Sequence, residues 1–113
     1  MISNNILNDL NYNEKKPSIS VLFESSFSKE IRILLKENQI MSEHKTPYPI
    51  VVEVFDGCVD FGVEGKIYNL IKGDILTLEG NVPHDLKATS DCIIRLSLSK
   101  LDSVNRVKGV LKL

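Results

Sequence analysis

Histidine and cysteine are scarce in this chain of 113 residues, with two of each, and the cysteines do not stand at the Cys-x-x-Cys spacing of redox and zinc motifs. No serine sits in a Gly-x-Ser-x-Gly turn, no glycine-rich loop leads into a phosphate-cradling Gly-Lys-Ser/Thr, and no His-Glu-x-x-His is present. These absences remove most common enzyme classes. Long apolar runs are missing as well. None approaches the roughly 18 residues of a membrane-crossing helix, and Met1 to Leu10 lacks a basic stretch followed by an apolar one. Charge of one sign is not in excess: 14 Lys and Arg face 15 Asp and Glu, scattered along the chain for a net charge of -1. Nothing there marks a nucleic-acid or anionic-membrane partner. The expectation is a cytoplasmic protein in which Cys58 and Cys92 are reduced thiols in or beside strands.

With 42% hydrophobic and 26% charged residues, the chain reads as one soluble globular domain over 1–113. Its first dozen residues are Asn-rich, with Ile6, Leu7 and Leu10 at helical spacing, which suits a short helix or a loose arm. Short alternating segments then follow: Ile19 to Phe23, Lys29 to Leu35, Ile50 to Phe55, Cys58 to Val63, Lys66 to Ile71, Ile75 to Leu78, His84 to Ala88 and Cys92 to Leu98. Turn signals separate them, among them Asn38-Gln39, Asp56-Gly57, Glu64-Gly65 and Lys72-Gly73-Asp74. About eight short strands with frequent turns predict an all-β barrel or sandwich, its core at about 19–98. The tail at 99–113 opens with a helix-capping spacing, Ser99 to Asp102, and predicts a short C-terminal helix.

The two histidines bracket the most informative stretch, one in Glu43-His44-Lys45-Thr46-Pro47 and the other in Val82-Pro83-His84-Asp85-Leu86. If the apolar runs between them are consecutive strands of one small barrel, the imidazoles can meet inside it. Prolines 47 and 49 confine the His44 segment to an edge or an irregular lead into a strand. Imidazole is the side chain best able to exchange a proton near neutral pH, and it is also a common metal ligand. Thr46 can donate a hydrogen bond to a ligand or stabilise its own turn. Glu53, in the apolar Ile50 to Phe55 run, requires a partner such as Arg95 or Arg32, because an unpaired buried carboxylate is costly. Phe55, Phe61 and Tyr68 read as core or interface packing, with Tyr48 or Tyr68 also able to stack on a ligand. The run's apolar residues on both faces, together with Ile19 to Phe23, predict a homodimer.

At Gln39 to Leu98 the sequence resembles the small single-domain cupins. One matching piece is His44 with its proline-bearing lead into Ile50-Val-Val-Glu-Val-Phe-Asp-Gly57, and the other is Gly73-Asp-Ile-Leu-Thr-Leu-Glu-Gly-Asn-Val-Pro-His84. The resemblance implies a single jelly-roll barrel (a double-stranded β-helix) holding a small polar ligand, with His44, His84 and Thr46 in its pocket. It also implies a divalent metal, Fe, Mn, Ni or Zn, on His44 and His84. The ligand set is incomplete, however: Thr46 stands where the family places a second histidine and Ile50 where it places a glutamate, while Glu79 and Asn81 replace the usual proline and glycine. Glu53 is on the wrong strand face to substitute, so a third ligand would have to come from Glu43, Asp85 or Glu79. Three functions follow: a ligand-binding barrel, a metal-dependent dioxygenase or isomerase, and a stand-alone sensor domain acting through a partner protein.

Overall fold

The computed structural model describes residues 1–100, and these form nine strands without a helix. They are β1 (Ser18–Glu24), β2 (Ser28–Leu35), β3 (Ile40–His44), β4 (Ile50–Asp56), β5 (Cys58–Val63), β6 (Lys66–Ile71), β7 (Ile75–Leu78), β8 (His84–Ala88) and β9 (Cys92–Ser99). Strand order is β1-β2-β9-β4-β7 in one antiparallel sheet and β3-β8-β5-β6 in the other. Alternation along each strand explains how the two sheets close on one another. Ile50, Val52 and Val54 of β4 meet Val59 and Phe61 of β5, all at most 3% exposed, while Leu35, Ile94 and Cys92 complete the core. The predicted all-β barrel is therefore present. The C-terminal helix expected over 99–113 falls outside the described residues, except that Ser99 ends β9.

Local chemistry fixes the turns. Glu64 and Gly65, both at positive φ, make the two-residue turn that joins β5 to β6 with a twist matching the strands. Gly57 (φ 86°) does more than turn, since a Cβ there would lie 2.3 Å from the Asp91 carbonyl oxygen and 2.6 Å from Cys92 Cβ.

The N-terminal segment is an arm. Residues 6–9 form a turn, and the arm lies on the outer face of β2 through Arg32, whose guanidinium donates to the carbonyls of Ile6 (2.9 Å), Asn8 and Asp9 (3.1 Å). This explains why Arg32 is not the partner of Glu53. Arg95 takes that role, with Nε 2.8 Å from Glu53 Oε1 and an Nη 2.8 Å from Glu30 Oε1. Among the described residues no helix is long and apolar enough to cross a membrane.

Candidate functional site

Register brings the two histidines together. β3 is an edge strand, and its pairing with β8 slips between Met41 and His44, so that His44 stands opposite His84. Without that irregularity, simple alternation from inward-facing Met41 would turn His44 to the outside. The ring centroids are 4.4 Å apart at 60°. His84 is 4% exposed and stacks on the fully buried Phe61, with centroids at 5.7 Å and 12° between planes.

Both rings are oriented by their own strand ends. His44 Nδ1 lies 2.8 Å from the Ser42 carbonyl oxygen and His84 Nδ1 2.9 Å from that of Val82. A carbonyl oxygen only accepts, so each Nδ1 carries a proton. In the neutral ring Nε2 then keeps its lone pair for another donor or a metal.

A divalent ion held tightly by protein needs three or four ligands, and the residues here do not supply them. Among the described residues no group of three His, Cys, Asp or Glu side chains converges. The three acids that could have completed the set are elsewhere. Glu43 is exposed, Asp85 lies over Gly62 on the outer face of its sheet, and Glu79 borders a hollow with Val51 and Thr77 on the other sheet. Glu53 is committed to Arg95. The donor set fits two-point contact only.

Thr46 sits in the turn after β3, where its hydroxyl donates to the Tyr48 carbonyl at 2.9 Å, and it borders a recess with Tyr48, Leu98 and Lys100. That turn and the loop before β8 lock together, since Asn81 N–H donates to the Thr46 carbonyl at 2.6 Å. Asn81 adopts φ 66°, the left-handed conformation that asparagine tolerates better than most residues, at the position where a glycine was expected.

One of the hollows in the surface was not legible in the sequence. It opens between β5 and β6 on one side and β7 on the other, encloses about 340 Å³, and is walled by Phe61, Val63, Tyr68, Leu70, Leu76 and Leu78. Of the two tyrosines considered for stacking, Tyr68 lines it. The histidines do not, but Phe61 is common to both, with one flank in the cavity wall and the other against His84. Sequence alone assigns Phe61 to core or interface packing and gives Leu76 no role; the space lies between β6 and β7, the edge strands of the two sheets.

No family model matches the sequence, and no curated protein is similar to it. Solved structures are. An RmlC-like cupin protein from Desulfovibrio desulfuricans superposes with a TM-score of 0.80 at 19% identity, covering 88% of this chain and 96% of that one. The chain therefore has a cupin-type fold. A cupin superfamily protein from Desulfitobacterium hafniense gives 0.74 at 11% identity over 80% of this chain and 83% of that one. KdgF from a Halomonas species gives 0.75 at 15% identity over 92% and 97%. At such identities the cupin likeness is one of fold, and function rests on the residues present.

Proposed function

We propose that this chain is a small-molecule-binding barrel, its ligand lodged in the cavity between β6 and β7, with the His44–His84 pair behind the Phe61 wall of that cavity. The observation that carries the reading is the cavity itself. Its volume of about 340 Å³ lies within the usual range of ligand pockets, and its largely apolar walls carry a few polar groups at the rim. The test is an NMR-monitored fragment screen on the full chain. Binding should shift the amides of Phe61, Tyr68 and Leu76, and Leu76→Trp, which fills the space, should abolish it; hits mapping elsewhere would sink the reading.

The metal-dependent dioxygenase or isomerase reading has less support, because two imidazoles leave the remaining coordination positions to solvent. Its measurement is elemental analysis of untagged protein, in which stoichiometric Fe, Mn, Ni or Zn lost on His44→Ala/His84→Ala would reinstate it. A sensor role would require a partner protein that recognises the ligand-bound barrel. A cytoplasmic setting fits the free thiols Cys58 and Cys92. A homodimer fits β1, where Ile19 and Val21 face the barrel side of their sheet yet are 58% and 50% exposed. Light scattering at micromolar concentration should give twice the chain mass.

A further inference from the structure

We infer that the cavity takes a small organic anion, a carboxylate carrying an apolar body; this rests on the reading of the cavity as a ligand site. The basis is one row of the β3-β8-β5-β6 sheet. Lys66 is opposite Val63, Val63 opposite His84, and His84 opposite His44. Residues directly opposite in antiparallel strands project to the same face. Val63 packs on the core, so Lys66, His84 and His44 stand in line along the inner face at one end of the barrel. Strand spacing sets Lys66 about 10 Å from His84, backbone to backbone. The next row inward is Tyr68, Phe61, Leu86 and Met41, a floor of apolar and aromatic surface. From the other sheet Leu76 and Leu78 close the cavity.

A carboxylate entering such a space loses water and is stable only where a charged donor replaces it. Lys66 lines the cavity, and its ammonium has no ion-pair partner among the described residues. Of the lining residues only Glu64 is acidic, and it occupies the hairpin tip rather than the inward-facing row; it makes no ion pair with Lys66. Lys66 is exposed at the mouth of the cavity, on the inner-face side of its strand, so the charge this row offers an entering ligand is positive, and the sign of the ligand follows.

Calorimetric titration of the full chain with 3-phenylpropanoate, 3-phenylpropan-1-ol and 3-phenylpropylamine separates the alternatives. The carboxylate should bind about tenfold more tightly than the alcohol, with the amine weakest. In Lys66→Gln the carboxylate and alcohol should bind within about twofold of each other, the alcohol unchanged from the parent. Glu64→Gln should keep the parent's ranking. An alcohol or amine that binds the parent as tightly as the carboxylate overturns the anion inference and leaves the ligand site standing. So does a preference that survives Lys66→Gln. If none of the three binds, or if amide shifts map away from Phe61, Tyr68 and Leu76, the ligand site itself falls and the inference with it.

Discussion

The two sheets each carry a cluster of polar side chains, and the clusters differ in how far they are satisfied. On the outer face of the larger sheet Arg95 bridges Glu30 and Glu53, and Ser97 adds its hydroxyl to Glu30. On the inner face of the smaller sheet Lys66, His84 and His44 line up with no carboxylate among them. The first cluster spends its hydrogen-bonding capacity within the chain. The second keeps an ammonium and two Nε2 atoms for something else. A charged group with every partner internal belongs to the fold; one left unsatisfied beside a cavity belongs to a ligand.

The largest expected effect tests the floor under the open cluster. Phe61 is fully buried and stacks on His84, so Phe61→Ala should destabilise the domain by about 3–5 kcal/mol in urea denaturation. A loss under about 1 kcal/mol would mean that the aromatic floor is not part of the packed core. Next is the closed cluster. Its hydrogen bond to Glu53, outweighing partial burial, holds the Arg95 guanidinium more firmly protonated than usual, and Glu30 beside it is 8% exposed. Arg95→Met strands both carboxylates. Complete burial would give about 3–5 kcal/mol, but the Arg95 and Glu53 side chains are 33% and 29% exposed, which reduces the expectation to about 2 kcal/mol. Adding Glu30→Gln should recover part of it, because the more buried of the stranded charges is then gone.

How much of this was legible in the sequence follows the same division. Regular alternation made the strands readable within a residue or so: Lys66 to Ile71 and Ile75 to Leu78 coincide with β6 and β7, and a carboxylate in an apolar run called for a partner to Glu53, Arg95 or Arg32, of which Arg95 takes the role. The meeting of His44 and His84 followed from strand order. Irregular backbone was not readable. The slip in β3 that turns His44 inward depends on its pairing with β8, and the gap between β6 and β7 depends on how far two sheet edges diverge. Glu30 was missed as the second partner of Arg95 because it is far away in sequence and adjacent only across β2 and β9. Thr46, grouped with the histidines by proximity in the chain, donates its hydroxyl to the Tyr48 carbonyl, the turn-stabilising role of the two weighed for it.

A buried group with no charged partner should respond to pH as neither cluster does. Cys92 is fully buried, and burial pushes its thiol up to about 11 from the ordinary 9.0. The folded state therefore holds the proton more tightly than the unfolded chain. That contribution is complete below about pH 9 and is lost as pH rises toward 11, a decrease of about 2 kcal/mol. Cys92→Ala should flatten this part of the stability curve, and a slope unchanged in that variant would assign it to another group. In a thiol-labelling assay on native protein at pH 8, half-buried Cys58 should react well before Cys92.

The smallest stability effect is the sharpest discriminator. Lys66 is exposed, has no ion-pair partner among the described residues and ends a hairpin strand, so Lys66→Gln should move the unfolding midpoint by no more than about 0.5 kcal/mol. Its effect should appear in the discrimination between 3-phenylpropanoate and the matching alcohol. Arg95→Met should do the reverse, lowering stability while leaving that discrimination intact, because the cluster it breaks faces away from the barrel interior. Opposite responses from two cation removals, measured on the same preparations by urea denaturation and calorimetry, would separate a charge that holds the fold from one that recognises a ligand. If Lys66→Gln instead destabilises the chain as Arg95→Met does, the inner row is structural too, and the difference drawn between the two sheets disappears.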